Sequence, residues 1–167
     1  FYFEPNAEGR LFAQSTSGQL VYSSDMGQTW DPISVPPAAS GRSTAPFAVL
    51  NDGQTRLLLA TPSGLLIGTP GDEDGELSAD ITWTKVADFT NVTVIEPSPT
   101  QDAVAIGTAD GYVHVSTEMQ GLDAASWVSS RLREGSVSAI AFHPEDPAQL
   151  VVGLATLRTE PTDAVVY

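Results

Sequence analysis

One apolar pattern returns at steps of 46, 47 and 46 residues, its runs beginning at Leu11, Leu57, Val104 and Leu150. Self-similarity at such a period constrains the fold more than any other feature. Each copy is one supersecondary unit that cannot bury its apolar face alone, so the copies must stack. The copies read RLFAQSTSGQLVYSS, RLLLATPSGLLIGT, AVAIGTADGYVHVST and QLVVGLAT followed by DAVVY. Each is an apolar strand, a small polar turn and a second strand. Gly18, Gly64 and Gly111 end three of the turns, where a tight hairpin needs positive φ.

A further strand-like piece closing in a proline-marked or polar turn precedes each copy: FYFEPNAEG, APFAVLNDGQ, VTVIEPSPTQD and VSAIAFHPEDPAQ. After three copies a tryptophan (Trp30, Trp83, Trp127) is expected to open a fourth strand. The units therefore hold four short strands each, at about 1–35, 43–88, 91–133 and 136–167, with the last lacking its fourth strand. The second strands, Leu57 to Ala60, Val104 to Gly107 and Leu150 to Gly153, are nearly continuous in apolar residues. Strands of that kind must be covered on both faces, as when one sheet lies between two others. Ala60, Gly107 and Gly153 are small, which suits crowding near a central axis. Four strands per unit and a period in the forties predict an all-β chain, a β-propeller of four-stranded antiparallel blades. About three and two-thirds blades are expected in this chain, and the ring they belong to is expected to be larger. A β-sandwich is the alternative, but nothing in it requires the regular repeat.

Between the third and fourth strands of the first unit stands SSDMGQTW, with Ser23, Asp25, Gly27, Thr29 and Trp30 at alternating positions and a final aromatic. This resembles the Asp box of the BNR-repeat propellers, the superfamily of sialidase-like and sortilin-like repeats. The chemistry accounts for the spacing. Asp25 can accept hydrogen bonds from N–H groups of its own turn, Gly27 supplies an unusual φ, and Trp30 covers the hairpin. The second and third copies are worn, with expanded turns before Trp83 and Trp127, and a single helical turn is expected within 118–127. Tyr167 aligns with Tyr22. The resemblance implies that these residues are structural and lie on the face opposite the binding site. Its members include sialidases, xyloglucan-type glycosidases, sortilin-like receptors and photosystem assembly factors, so the fold alone selects no function.

Composition narrows the partners. Twenty-one acidic side chains against seven basic ones give a net charge of -14, which disfavours nucleic acid and anionic membranes. The absence of cysteine excludes disulfides and thiolate metal sites. No apolar run approaches the ~18 residues of a membrane-spanning helix, so no membrane insertion is expected. Phe1 enters strand-like sequence directly, and a processed or partial chain is expected.

Three sets of candidate site residues remain. A sialidase would need an arginine cluster, a Tyr–Glu nucleophile pair and an acid, and the usual Arg-Ile-Pro element is absent. Arg42, Arg131, Arg133 and Arg158 fall on the face opposite the Asp box and form a candidate anion-binding rim, or else solvated charges partnered by Glu134 and Glu160. A two-carboxylate glycosidase needs an acid and a base about 5–9.5 Å apart; Asp88, Asp110 and Asp163 share that face. Asp110-Gly111 also reads as a plain hairpin turn. Asp72, Asp74 and Glu76 lie in an acidic loop able to offer oxygen ligands to Ca²⁺, or to stand solvated. No other cofactor is indicated. His114 and His143 form no metal motif and read as packing residues. Asn91-Val92-Thr93 is a glycosylation sequon.

These readings converge on a non-catalytic, extracytoplasmic interaction propeller that binds a protein or a glycan through loops 35–44 and 155–163. The alternatives are a secreted carbohydrate-active hydrolase with most catalytic residues in other blades, and a structural subunit of a larger assembly. Either more of the same polypeptide or another subunit is expected to complete the ring.

Overall fold

The repeat becomes four antiparallel sheets in the computed structural model, which describes residues 2–3, 10–36, 45–51, 53–70, 81–100, 102–155 and 165–166. The first sheet holds β1 (Tyr2–Phe3), β2 (Leu11–Gln14), β3 (Leu20–Ser23) and β4 (Asp31–Pro32) in sequence order. The second holds β5 (Phe47–Asn51), β6 (Thr55–Thr61), β7 (Gly64–Pro70) and β8 (Ile81–Ala87). The third holds β9 (Val92–Pro97), β10 (Val104–Thr108), β11 (Tyr112–Ser116) and β12 (Val128–Arg131). The fourth consists of β13 (Ser136–Phe142), β14 (Leu150–Ala155) and β15 (Val165–Val166) among the described residues. Apart from one 3₁₀ turn at Met119–Gly121, the described elements are all strands. That turn lies within the stretch where the sequence predicts a helical turn.

The sheets pack face to face, and the second strands carry the core as their composition requires. Every residue of β6 and of β10 is buried. Alternation then divides each strand between two neighbours. Leu57 and Leu59 pack with Phe12 and Leu20 of the first sheet and with Ile33 just after it, while Leu58 and Ala60 pack with Val92, Val104 and Ile106 of the third. Ala105 faces the other way, toward Val137, Ile140 and Val152 of the fourth sheet. Burying a leucine fully on either side contributes about 1.5–3 kcal/mol, so the sandwiched strands stabilise two junctions at once. The innermost strands β5, β9 and β13 contact one another in succession, which is the arrangement of blades about an axis. The chain is an all-β propeller segment.

Two details depart from the sequence expectation. β8 begins at Ile81, two residues before Trp83, because β7 extends to Pro70 and pairs with it. Trp30 and Trp127, by contrast, immediately precede β4 and β12. β14 is also less buried than its apolar composition predicts: Val151 is 50 % exposed. Val152 on the opposite side is buried against the third sheet, and no described sheet covers the side that Val151 faces.

Candidate functional site

The eight-residue turn at Ser23–Trp30 is built almost wholly from its own side chains. Asp25 Oδ1 accepts from the Thr29 amide at 2.8 Å, and its Oδ2 accepts from the Thr29 hydroxyl at 2.6 Å. Ser23 Oγ donates to Asp25 at 2.7 Å and accepts from the Gly27 amide at 2.8 Å. With so many donors on it, the Asp25 carboxyl is held at about 2, well below the usual carboxylate range. Gly27 takes φ of 87°, and Met26 beside it also has positive φ, a strain that the sequence did not signal. Trp30 Nε1 donates to the Gly27 carbonyl at 3.1 Å, so the ring closes over its own hairpin. All five motif residues are thus engaged with one another.

Arg131 and Arg133 are exposed at the far end of β12, the end that also carries the β10–β11 hairpin at Gly111. The Arg131 guanidinium lies over the Tyr112 ring, 5.8 Å from its centroid. Tyr112 is followed by His114 at 6.0 Å, which stacks on Phe89 at 3.8 Å, and Phe89 meets Trp127 edge-on at 5.3 Å. A row of aromatic rings therefore runs from the junction of the second and third blades out to a cationic rim. His114 is buried within it, and its Nδ1 lies 2.7 Å from Ser129 Oγ. Burial pushes the His114 imidazole below its usual value, against a weaker opposite pull from Asp110. Arg42 and Arg158, as well as loops 37–44 and 156–163, lie outside the described residues.

The carboxylates have local partners. Asp110 Oδ1 accepts from Thr108 Oγ at 2.5 Å across the tip of its hairpin, in keeping with the turn reading. Asp88 forms an exposed ion pair with Lys85. Asp163 lies outside the described residues, as do Asp72, Asp74 and Glu76. Among the described residues no group of three or more His, Asp or Glu side chains stands ready to hold a metal. His143 accepts from the Glu145 amide within its own turn. Thr93 of the sequon donates to the Val137 carbonyl at 2.6 Å, a contact between the third and fourth blades.

Arg56 has a position that sequence reasoning missed. Its guanidinium is buried and donates to the Met119 carbonyl at 2.5 Å, so β6 of the second blade holds the expanded turn of the third. The partners are 63 residues apart. The one signal available was an arginine at the head of an otherwise apolar strand.

No family model matches this chain, and no curated protein does. Solved structures do. The β-propeller domain of Cps50 (Swd1) from Myceliophteria thermophila superposes with a TM-score of 0.57 at 19 % identity, over 87 % of this chain and 46 % of that one. YCF48 from Cyanidioschyzon merolae superposes with a TM-score of 0.52 at 13 % identity, over 92 % of this chain and 56 % of that one. The chain spans about half the length of either. At these identities the likeness is one of fold, and the fold is the β-propeller.

Proposed function

We propose that this chain is part of an Asp-box (BNR-repeat) propeller that acts as a non-catalytic scaffold, binding a partner protein through the end of the blades opposite the Ser23–Trp30 turn. The observation that carries this reading is the row Phe89, His114, Tyr112, Arg131, which ends on an exposed arginine with Arg133 two residues beyond. Arginine and tyrosine held on a rigid sheet lose little conformational freedom on binding and are the residue types enriched at interface hot spots. Their setting in a chain of net charge -14 makes the rim a local cationic spot that selects an acidic patch on the partner. Asp110 and Asp88 are engaged as a turn cap and an ion-pair partner, which supports binding rather than acid–base work at that end. The self-bonded Ser23–Trp30 turn supports the Asp-box assignment, with a structural role for its residues. An extracytoplasmic location, Ca²⁺ at Asp72, Asp74 and Glu76, and completion of the ring by further polypeptide or another subunit belong to the same proposal.

The test is affinity capture with the parent chain and with Arg131→Glu/Arg133→Glu, alongside a panel of glycosides. A partner retained by the parent and lost by the double variant, with no glycoside turned over, supports the scaffold. Turnover that disappears in Asp88→Asn or Asp110→Asn would move the assignment to a hydrolase.

A further inference from the structure

β12 is the outermost strand of the third blade, and no strand among the described residues pairs with its outer edge. The direction of its backbone groups follows from its inner pairing. The Leu132 amide donates to the Gly111 carbonyl at 3.0 Å, so the backbone of Leu132 faces β11. Alternation along an antiparallel pair turns Ser130 and Val128 the same way. The amide and carbonyl groups of Ser129 and Arg131 therefore point outward. All four residues of β12 are exposed, and its pairing with β11 runs without a register shift.

The same edge is protected in the first two blades. Counted from the blade tryptophans, Pro32 and Lys85 stand where Ser129 stands in the third. The Ile33 amide donates to the Leu20 carbonyl at 2.9 Å, so Pro32 holds the outward-facing place in β4, and it has no N–H to offer. In β8 that place holds Lys85, and the strand is bulged beside it, because Leu65 and Leu66 pair with Ala87 and Lys85. Proline, lysine and bulges are the devices that keep edge strands from pairing with other chains. β12 has none of them. Its one charged side chain, Arg131, lies over the Tyr112 ring and so is drawn back from the edge. Val128 is 72 % exposed, whereas Asp31 and Thr84 at the equivalent position are polar.

We propose that the outer edge of β12 takes up an extended segment of the partner protein as an added antiparallel strand, with acidic side chains across from Arg131 and Arg133 and an apolar one across from Val128. This rests on the reading of the arginine rim as a partner-binding surface, and it specifies the form of the partner. Backbone bonds to Ser129 and Arg131 supply affinity, and side chains supply register. Residues directly opposite share a face, so a carboxylate across from Arg131 lies on the Tyr112 side of the sheet. The apolar side chain across from Val128 lies on the other side. In a chain of net charge -14, the two arginines give this edge a local attraction for an acidic strand.

The test titrates the capped peptide Thr-Glu-Thr-Glu-Thr-Thr-Val-Thr into the nitrogen-15-labelled chain. Laid antiparallel with its valine across from Val128, the peptide sets its fourth and sixth residues across from Arg131 and Ser129. The expected result is a set of amide shifts centred on Ser129 and Arg131. N-methylation of the fourth or sixth residue should weaken binding about fivefold or more. N-methylation of the third or fifth, whose amides point away from β12, should leave it unchanged. Ser129→Pro, which copies Pro32 into the third blade, should weaken binding by a similar factor with both arginines in place. The methylated peptides keep the test decisive if that variant folds poorly. Unshifted Ser129 and Arg131 amides at about 1 mM peptide overturn the proposal. Equal affinity for all four methylated peptides overturns it too, and if Arg131→Glu/Arg133→Glu still abolishes that binding, strand addition falls while the arginine rim stands. A dimer of the chain that pairs β12 with itself also overturns it, by assigning the edge to a second copy.

Discussion

Gly107 of β10 lies so close to Val137 of β13 that a methyl group on the glycine would overlap the valine side chain. A Cβ at Gly107 would stand 2.7 Å from Val137 Cβ and 2.8 Å from Val94 Cγ1, and the junction of the third and fourth blades has no slack to absorb it. Gly107→Ala should therefore destabilise the chain by about 1–3 kcal/mol, the usual cost of overpacking. Val137→Ala in the same chain should restore part of the loss, and a double-mutant cycle on urea midpoints reads the coupling. Gly153, the repeat-equivalent glycine of β14, is the control. The nearest atom to its Cβ position is Ser138 Oγ at 3.3 Å, and Gly153→Ala should be close to neutral.

Asp25 makes a pH prediction with a definite sign. Its carboxyl sits at about 2 in the folded chain against 3.8 for an unperturbed aspartate. As pH falls from 3.8 toward 2, the unfolded chain takes up this proton first, so the stabilisation is present above that window and is lost within it. Asp102 and Asp146 are also held low by hydrogen bonds from Ser98 and Thr100 and from Gln149, so acid destabilisation is shared. Asp25→Asn should remove only its own part. Thermal melts between pH 2 and pH 5 should show a shallower acid slope for the variant than for the parent, with the difference vanishing at the acid end. Identical slopes would mean that the Ser23–Trp30 turn does not hold its proton as its hydrogen bonds dictate.

The blade tryptophans look alike in sequence but differ in their hydrogen bonding. Trp83 Nε1 donates to the Ser34 carbonyl, whereas Trp127 Nε1 is buried with no acceptor among the described residues. Replacing either by phenylalanine removes similar ring area. Trp83→Phe also gives up a hydrogen bond, about 1 kcal/mol net, while Trp127→Phe deletes a donor already paying the desolvation cost. Trp127→Phe should be the milder change by about 1–2 kcal/mol in chemical denaturation. A larger loss at Trp127 would point to an acceptor for its indole N–H.

Local chemistry was legible in the sequence, and contacts between blades were not. The two-sided burial of β6 and β10 followed from their unbroken apolar runs, and the Ser23–Trp30 turn followed from residues that bond only to one another. Arg56 could not be placed, because its acceptor at Met119 belongs to the next blade. The same holds for Trp83 and Ser34, 49 residues apart. Val151 was expected to be buried like Leu58 and Ala105, but strand composition does not reveal whether a further sheet lies against it. The Arg131–Tyr112–His114–Phe89 row was half legible. Arg131 and Arg133 follow from the repeat as residues at the end of β12 away from the Ser23–Trp30 turn, while the aromatic stack that supports Arg131 arises only when β11 and β12 pair and Phe89 folds against them.

His114 ties that row to pH. The imidazole is buried, stacked on Phe89 at 3.8 Å, and pushed below its usual 6.5 by loss of hydration, with Asp110 pulling the other way. As pH falls through 6.5, the unfolded chain binds this proton before the folded chain does, so stability declines until the folded pKa is passed. The parent should be less stable at pH 5.5 than at pH 7.5 by more than His114→Phe is, since phenylalanine keeps the stack and removes the proton site. NMR titration of the His114 ring should place its midpoint below 6.5, and a midpoint at or above that value would show that Asp110 outweighs burial. The consequence reaches the surface. A proton on His114 would place a second positive charge beneath the Tyr112 face on which Arg131 rests, and expel the ring from its apolar site. Partner retention through Arg131 should accordingly weaken on acidification in the parent and stay level in His114→Phe, which separates a loss of the row's geometry from titration of the partner itself.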